Sequence, residues 1–283
     1  MKDISFIKMS GTGNDFIIID KTQNPEFVLK NNVISRLCHR RYGIGADGII
    51  TIGDPDGYDF GMNYYNADGT TGTLCGNGAR CAIKYAQISN RTNGGLIRFL
   101  SDKTEYTGEL LPDGEIKFNL KPPEQIEENK TVQFDGKNIP ASFINTGSPH
   151  IVIVISDLPD AEMRTNLDKV DVILIGRKIR NAPEFTPGGT NVNFIKIIND
   201  QVHIRTYERG VEDETLSCGT GSVAGAIIAG IKFDLIPPIS LITKGGDKLV
   251  VNFDKRELEF KNVSLTGPVE IIYTGIISKN LIA

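Results

Sequence analysis

Leu74-Cys75-Gly76-Asn77-Gly78 and Ser217-Cys218-Gly219-Thr220-Gly221 are two versions of one short motif, placed about half the chain length apart. In each version a cysteine precedes a glycine-rich turn and then a predicted helix, over Gly76–Ile88 and Gly219–Ile231 respectively. A motif that recurs at this spacing indicates that the chain consists of two homologous halves.

Other landmarks recur in the same order in both halves. Each pair has one member from the first half and one from the second: Tyr65-Asn66-Ala67-Asp68-Gly69 with Tyr207-Glu208-Arg209-Gly210, Thr12-Gly13-Asn14 with Thr146-Gly147-Ser148, and Gly45-Ala46-Asp47 with Gly189-Thr190-Asn191. Because their order is shared, we predict two copies of one fold, related by a pseudo-twofold axis.

Short extended segments dominate the chain, and their alternation with helices is irregular, which favours an α+β fold over a doubly wound sheet. The boundary between the halves is predicted near Lys121-Pro122-Pro123. We therefore expect an N-terminal lobe over residues 1–121 and a C-terminal lobe over residues 122–263. A C-terminal strand within 264–283 is expected to cross back and complete the first lobe.

Composition narrows the functional class. The 283 residues are 40% hydrophobic and 23% charged, and the net charge of −4 gives no reason to expect nucleic acid or an anionic membrane as a partner. No apolar run approaches the roughly 20 residues that span a bilayer. Met1–Asp20 has no signal-peptide pattern, so the four cysteines are interpreted as cytoplasmic thiols.

The cysteine turns have the chemistry of an acid/base site. A helix start leaves backbone N–H groups for a carboxylate, and glycines let a ligand approach them closely. A cysteine at such a start has a pKa lowered from about 8.5 toward neutrality, which suits proton transfer near pH 7. We interpret Cys75 and Cys218 as such groups.

Two related thiols, rather than one, indicate inversion of a stereocentre. One thiolate would remove an α-proton while the other thiol returns a proton to the opposite face, and both helix starts would stabilise the developing charge on the substrate carboxylate. No lysine lies in a motif typical of a pyridoxal phosphate site. The alternative is that both motifs are tight turns capping core helices, although the repeated polar residues around them argue against it.

Over essentially its full length the chain resembles the diaminopimelate epimerase family. The resemblance is carried by Lys8-Met9-Ser10-Gly11-Thr12-Gly13-Asn14-Asp15-Phe16, Asn66-Ala67-Asp68-Gly69, Cys75-Gly76-Asn77-Gly78-Ala79-Arg80-Cys81, Gly147-Ser148-Pro149-His150, Thr190-Asn191, Tyr207-Glu208-Arg209-Gly210 and Cys218-Gly219-Thr220-Gly221. It implies interconversion of LL- and meso-diaminopimelate without pyridoxal phosphate or metal, for lysine and peptidoglycan synthesis. It also implies a homodimer of chains with two lobes, each a mostly antiparallel curved sheet around a central helix, and an active site in the cleft between the lobes.

The resemblance also implies roles for single residues. Cys75 and Cys218 are the expected acid/base pair, with His150 and Glu208 supporting their proton transfers. The expected backbone cradle for the reacting carboxylate is formed by Gly76, Asn77, Gly219 and Thr220. The expected substrate contacts are Asn14, Asn66, Ser148, Asn191, Glu208 and Arg209, of which Arg209 is suited to hold the distal carboxylate bidentately.

The chain departs from the family pattern at positions expected to contact the far end of the substrate. Many members have asparagine where this chain has Ser148, and some have glutamine where it has Gly48. The loop over residues 210–215 is also longer than in many members. These changes leave the proton-transfer groups in place and bear on distal-end specificity.

Alternative functions remain. A related two-cysteine racemase could act on proline, hydroxyproline or histidine. A monocarboxylate needs no distal arginine, however, and this favours a diaminopimelate epimerase. A non-catalytic carboxylate-binding protein would be expected to lack one of the cysteines. Cys81 is interpreted as a packing residue. Cys38-His39 has no further ligands at metal-site spacing, so we expect no metal.

Overall fold

The computed structural model describes residues 4–25, 27–72, 74–92, 94–257 and 259–278. The chain divides into two compact units, one formed by Met1–Asn119 with Thr266–Ala283 and the other by Leu120–Leu265. Residues 279–283 of the predicted C-terminal segment lie outside the described residues. Within the described ranges, no helix is long and apolar enough to cross a membrane.

Strands dominate the chain and helices occur irregularly between them, as expected for an α+β protein. The strands are β1 (Ile4–Gly11), β2 (Asn14–Asp20), β3 (Gly48–Gly53), β4 (Phe60–Asn66), β5 (Ile97–Ser101), β6 (Thr104–Leu110), β7 (Ile116–Asn119), β8 (Glu124–Phe134), β9 (Lys137–Asn145), β10 (Pro149–Val154), β11 (Asn191–Ile198), β12 (Gln201–Glu208), β13 (Asp213–Thr215), β14 (Ile239–Ile242), β15 (Lys248–Arg256), β16 (Glu259–Gly267) and β17 (Glu270–Ile277). The α-helices are α1 (Asn31–Cys38), α2 (Gly76–Ile88), α3 (Ala161–Thr165), α4 (Val172–Arg180) and α5 (Gly219–Lys232). Single 3₁₀ turns occur at Ile155–Asp157, Leu167–Lys169 and Pro183–Phe185.

The first unit is a sheet that packs against helix α2. Its strands are hydrogen-bonded in the order β17-β1-β2-β3-β4-β5-β6-β7, with β2–β3 and β4–β5 parallel and the other pairs antiparallel. Helix α2 contacts β1, β2, β3, β4, β6 and β7, and buries Ala79, Cys81, Ala82 and Ile83 completely. The opposite face of β2 packs on α1, because successive side chains of a strand point to opposite faces.

The second unit repeats this arrangement. Its order is β8-β9-β10-β11-β12-β14-β15, with β10–β11 and β12–β14 parallel and the remaining neighbours antiparallel, and β13 also pairs with β12. Helix α5 contacts β9, β10, β11, β12, β14 and β15. Strands β10, β11 and β12 therefore occupy the places of β2, β3 and β4. The predicted α+β fold with duplicated lobes is confirmed.

The central helices are buried because their sequences are small and apolar. Helix α5 is rich in alanine, glycine and isoleucine, and its residues from Gly221 to Gly230 are all buried. A Cβ at Gly225 would lie 3.0 Å from Cδ1 of Ile204 on the sheet. A helix that is apolar all round is stable only inside a core, so this sequence places α5 at the centre of its unit.

One predicted helix is shorter than expected. The sequence pattern near Val33–Arg41 predicts a helix through Arg41, but the helix found there, α1, ends at Cys38. Nδ1 of His39 accepts hydrogen bonds from the backbone amides of Arg41 and Tyr42, both at 3.1 Å. The prediction of a helix through Arg41 was wrong because the imidazole satisfies these amides locally and so competes with the helical ladder.

Candidate active site

Cys75 is the N-cap of helix α2, as predicted. Its backbone is extended, with φ −91° and ψ 124°, and its carbonyl accepts a hydrogen bond from the amide of Ala79 at 2.8 Å. The side chain is half-buried. The backbone amides of Gly76 and Asn77 lie in the first turn, where a helix attracts anionic groups. This thiol and this helix start form the first half-site.

Gly78 allows the first half-site to lie against the sheet. A Cβ at this position would be 3.0 Å from Cδ1 of Ile50, and 3.6 Å from both Cβ of Cys75 and Cε1 of Phe16. A side chain at position 78 would therefore fit only if Ile50 moved slightly. Gly78 thus lies next to Cys75 and to the apolar side chains of β2 and β3.

Gly48 is explained by the ring of Tyr64. A Cβ at Gly48 would lie 2.5 Å from Cε2 of Tyr64, and a Cβ at Gly72 would lie 2.4 Å from its Cδ1. The same ring meets Phe16 edge to face, with centroids 5.9 Å apart. Tyr64 thus fills the space that a side chain at position 48 would need.

The asparagines of the first half-site have different surroundings. Asn14 is nearly buried, and its Oδ1 accepts a 2.6 Å hydrogen bond from Nδ2 of Asn77. The side chain of Asn77 is fully buried, so this residue could reach a ligand only through its backbone. Asn66 bonds within its own turn, donating from Nδ2 to the hydroxyl of Thr70 at 3.0 Å. The structure brings Asn14 and Asn77 together and pairs Asn66 with Thr70.

Cys218 is the N-cap of helix α5 and defines the second half-site. Its carbonyl accepts from the amide of Ser222 at 2.8 Å, and its Sγ lies 3.7 Å from the hydroxyl oxygen of Thr220. A Cβ at Gly221 would lie 2.5 Å from Oδ1 of Asn193 and 3.2 Å from Sγ of Cys218. Only glycine fits this position, because any side chain would collide with both groups.

His150 is the centre of a hydrogen-bonded group in the second half-site. Its Nδ1 faces Nδ2 of Asn193 at 3.1 Å, and its Nε2 lies 3.0 Å from the hydroxyl oxygens of both Thr220 and Ser148. Nδ2 of Asn193 also donates to the carbonyl of Ile151 at 2.9 Å, which fixes this amide with its nitrogen toward His150. An amide nitrogen can only donate, so Nδ1 is the acceptor and Nε2 carries the proton.

Burial keeps His150 neutral. The side chain is fully buried, and this burial, with a smaller contribution from the charge of Arg209, lowers the pKa of His150 to about 3. At neutral pH the Nε2–H group can donate to Thr220, whose hydroxyl hydrogen can then be directed at the sulfur of Cys218. This direction of donation stabilises a thiolate at Cys218.

Asn191 braces the start of β10 and the turn after β12. Its Nδ2 donates to the hydroxyl of Ser148 at 3.2 Å and to the carbonyl of Pro149 at 2.9 Å, while its Oδ1 accepts from the backbone amide of Arg209 at 2.9 Å. The structure thus places three predicted substrate contacts together, and gives Asn191 a bracing function among them. The half-buried Glu208 accepts from the hydroxyl of Thr215 at 2.8 Å.

The two half-sites differ in polarity at equivalent strand positions. In the first unit Phe16 pairs with Gly48, and Ile50 pairs with Tyr64. In the second unit the corresponding residues are polar and hydrogen-bonded: His150, Asn191, Asn193 and Thr206. Asn193 and Thr206 are not among the predicted site residues, although each lies two residues from one of them on the same strand face.

The other two cysteines have the properties of core residues. Cys38 and Cys81 are buried and free, and burial raises the pKa of each thiol to about 12. They therefore stay protonated near neutral pH. Among the residues that the structure describes, no group of three or more histidine, cysteine or acidic side chains could hold a metal ion.

Sequence comparison matches the chain to one family. The sequence profile described as "Diaminopimelate epimerase" matches residues 6–126 and 142–272. A diaminopimelate epimerase of Aquifex aeolicus is 38% identical over 292 residues, covering 99% of each chain. A diaminopimelate epimerase of Chlorobaculum tepidum is 40% identical over 276 residues, covering 95% of this chain and all of the relative.

Structure comparison finds the same fold in a distant protein. A phenazine biosynthesis protein of the PhzF family from Bacillus anthracis superimposes with a TM-score of 0.72, covering 98% of this chain and all of the other. The two sequences are 12% identical, so the likeness concerns the fold alone.

Proposed function

The chain belongs to the diaminopimelate epimerase family, and from this premise we propose that it interconverts LL- and meso-2,6-diaminopimelate with Cys75 and Cys218 as the proton-transfer groups. As an epimerase, it is an isomerase that acts on a small molecule. This reaction is proposed to serve lysine and peptidoglycan precursor synthesis in the cytoplasm.

The observation that carries the proposal is the matched placement of the two thiols. Each is the N-cap of the central helix of its own unit, and in each unit the glycine three residues later lies close against the sheet. A stereocentre is inverted most simply by two similar groups acting on opposite faces, and a duplicated fold supplies two such groups. The mechanism requires both thiols to reach one α-carbon in the closed enzyme.

The proton balance of the proposed step is simple. A thiolate takes the α-proton as the C–H bond breaks, and the electron pair is delocalised into the carboxylate. The opposite thiol then gives up its proton as the new C–H bond forms and becomes the thiolate. The enzyme ends with the protonation states of its two sulfurs interchanged, so the step consumes no co-reactant. The backbone amides of Gly76, Asn77, Gly219 and Thr220 are the proposed donors to the carboxylate.

The surroundings of the thiols support an asymmetric resting state. Cys218 is linked through the Thr220 hydroxyl to the Nε2–H of His150. We therefore assign the resting thiolate to Cys218 and the resting thiol to Cys75. Glu208 is the proposed second supporting group.

The remaining polar residues are proposed to hold the substrate. Asn14, Asn66, Ser148, Asn191 and Glu208 line the two half-sites, and Arg209 is the proposed partner of the distal carboxylate. Arg209 is half-buried, and its backbone is fixed by Asn191. A planar guanidinium can hold a carboxylate through two parallel hydrogen bonds, which a monocarboxylic substrate would not need.

The exposed apolar side chains of β17 support a homodimer. Ile271, Ile272, Tyr273 and Ile276 are between 43% and 66% exposed, although they follow one another on a single strand. Apolar groups clustered in this way are typical of protein interfaces. Light scattering should give the mass of a dimer, and Ile272→Glu should reduce it to a monomer. Val28→Glu, at an exposed apolar site outside any strand, is the control; a dimeric Ile272→Glu would reject this surface.

Hydrogen exchange tests the function. Purified protein under reducing conditions should incorporate solvent deuterium at the α-carbon of LL-diaminopimelate and form the meso isomer. Cys75→Ser and Cys218→Ser should each lower turnover by at least about 100-fold, while Cys38→Ala should not. Exchange with proline or histidine but not with diaminopimelate would instead identify a related racemase, and full activity of either serine variant would reject the two-thiol mechanism.

A further inference from the structure

A line of polar side chains runs from helix α2 to the residue that precedes β3. Nη2 of Arg80 donates to Oδ1 of Asn77 at 2.7 Å, and Nδ2 of Asn77 donates to Oδ1 of Asn14 at 2.6 Å. Nδ2 of Asn14 then donates to Oδ2 of Asp47 at 3.1 Å. Every link therefore points in one direction, from the guanidinium to the carboxylate.

The two ends of this line determine its direction. A guanidinium can only donate hydrogen bonds and an ionised carboxylate can only accept them. Asn77 must therefore turn its oxygen to Arg80, and Asn14 must turn its nitrogen to Asp47. Neither amide could be reversed without placing two donors or two acceptors in contact. The orientation of Asn14 is consequently determined by charged residues on both sides of it.

Burial makes this orientation costly to reverse. Arg80 and Asn77 are fully buried, and Asn14 is 8% exposed. Away from water, a mismatched amide cannot recover its lost hydrogen bonds from solvent. The line is thus rigid up to Asn14, the residue in it whose side chain is a proposed substrate contact.

Arg80 also fixes the turn that carries Asn14. Its Nη2 donates to the hydroxyl of Thr12 at 2.9 Å, and its Nη1 donates to the carbonyl of Pro268 at 3.0 Å. Thr12 has φ 55°, in the left-handed region that residues with a side chain rarely adopt. Together with Gly13 it forms the turn that joins β1 to β2 just before Asn14. The Arg80 guanidinium therefore holds both Asn77, the amide partner of Asn14, and the backbone turn that precedes Asn14.

We propose that Arg80 is a positioning residue for the first half-site, and that it acts by setting which edge of the Asn14 amide faces the substrate. With Oδ1 bonded to Asn77 and one N–H bonded to Asp47, Asn14 presents its other N–H, a donor suited to a carboxylate or carbonyl oxygen. This inference rests on the proposed function, because it assigns Arg80 a place in binding that substrate.

Reversing the line tests the inference. Asn77→Asp has nearly the same shape and still accepts from Arg80, but it can no longer donate to Asn14. The Asn14 amide must then turn round, which leaves its oxygen against Asp47. In the double variant Asn77→Asp/Asp47→Asn the new amide donates to the reversed Asn14. This restores the bonds along the line, apart from the bond that Asp47 accepts from the Asp15 amide.

The expected result separates binding from stability. Asn77→Asp should raise KM for diaminopimelate by about tenfold or more and change kcat by less than about threefold, since a ground-state contact is lost. The double variant should regain most of the melting temperature and keep the raised KM. A wild-type KM in either variant would overturn the inference, and the double variant decides the question if the single variant does not fold.

Arg80→Lys and a matched control complete the design. Lysine keeps the charge but replaces the fork with a single point donor, so Arg80→Lys should also raise KM. Arg205 is another buried arginine, bound to Glu214 and to two carbonyls, and Arg205→Lys should lose stability with an unchanged KM. Equal effects of the two substitutions on KM would reduce Arg80 to a structural role.

A substrate-independent measurement keeps this inference distinct from the proposed function. In nuclear magnetic resonance spectra, the side-chain amide hydrogens of Asn77 should exchange slowly with water in the wild type and at least about tenfold faster in Arg80→Lys. Fast exchange in the wild type would reject the line whether or not diaminopimelate is the substrate. A wild type that shows the slow exchange but no epimerisation would reject the proposed function alone.

Discussion

The Nε2 atom of His150 lies 3.0 Å from the hydroxyl oxygen of Thr220. Because Asn193 donates to the other ring nitrogen, His150 is a donor in this contact, and Thr220 can pass the effect on to Cys218 at 3.7 Å. In the proposed mechanism, His150 therefore stabilises a thiolate at Cys218 through Thr220 and does not itself transfer a proton.

Removing the hydroxyl of Thr220 should raise the pKa of the Cys218 thiol. Thr220→Val keeps the shape of the side chain but has no hydroxyl to donate to the sulfur, so we expect a shift of about one unit and at least tenfold slower epimerisation. The pH dependence of iodoacetamide labelling at Cys218, followed by mass spectrometry, measures this pKa. Thr220→Ser keeps the hydroxyl and is the control. Identical labelling profiles for Thr220→Val and the wild type would show that Thr220 does not influence the Cys218 thiol.

The neutral His150 should make the protein less stable in weak acid. The folded protein holds the pKa of His150 near 3, whereas an unfolded chain has the ordinary value of 6.5. Between these values the unfolded state binds more protons than the folded state. The contribution of His150 to the free energy of unfolding is therefore fully present above about pH 6.5 and is lost as the pH drops toward 3. This one group predicts a loss of about 2 kcal/mol from pH 6.5 to pH 5.

Urea unfolding of the wild type and of His150→Gln measures this effect. Glutamine does not titrate, so the variant should lose about 2 kcal/mol less than the wild type over the same pH interval. Asp15 and Asp20 also have lowered pKa values, because hydrogen bonds and cationic neighbours outweigh their burial. Their stabilisation is lost only as the pH falls below the ordinary carboxyl range, and it is common to both proteins. Parallel pH profiles would contradict a neutral buried His150.

Gly48 should not tolerate even one added carbon. A Cβ there would lie 2.5 Å from both Cε2 of Tyr64 and the backbone oxygen of Tyr65, so we expect Gly48→Ala to lower the free energy of unfolding by about 1–3 kcal/mol. Gly53 is the matched control on the same strand, because a Cβ there would have no heavy atom within 4 Å. Equal stability of the two alanine variants in urea would show that Tyr64 does not occupy this space.

The thiol positions could be predicted from sequence because they depend on local chemistry. A cysteine before Gly-x-Gly and an apolar stretch predicts a helix start, and both Cys75 and Cys218 are N-caps. The duplication could be predicted because landmarks such as Tyr65 and Tyr207 keep their order. Helix α2 begins and ends at the predicted residues, since glycine and serine bracket its apolar pattern.

Other features depend on tertiary contacts that the sequence does not encode locally. Arginine is mostly a surface residue, so nothing about Arg80 in the motif predicts its complete burial. Asn193 alternates with apolar residues in its strand and Thr206 follows Arg205, and both patterns are equally typical of solvent-facing positions. Strands β8 and β9 were not predicted, because many of the charged side chains of β8 are exposed and it lacks a continuous apolar face.

Arg209 should determine affinity rather than turnover. The proposed distal carboxylate is held away from the reacting carbon, so its partner contributes equally to the ground state and the transition state. Arg209→Lys keeps the charge, and therefore its effect on His150, but loses the two parallel hydrogen bonds. We expect KM for diaminopimelate to rise by about 10- to 100-fold and kcat to change by less than about threefold.

Steady-state kinetics with Arg98→Lys as the control isolates this effect. Arg98 forms an exposed pair with Glu105 on the neighbouring strand, and such pairs contribute little. If Arg209→Lys lowered kcat and left KM unchanged, the guanidinium would belong to the reacting end of the substrate. The distal carboxylate would then need another partner. That outcome would shift the specificity argument to Asn66 and Ser148, because Tyr64 leaves no room for a side chain at position 48.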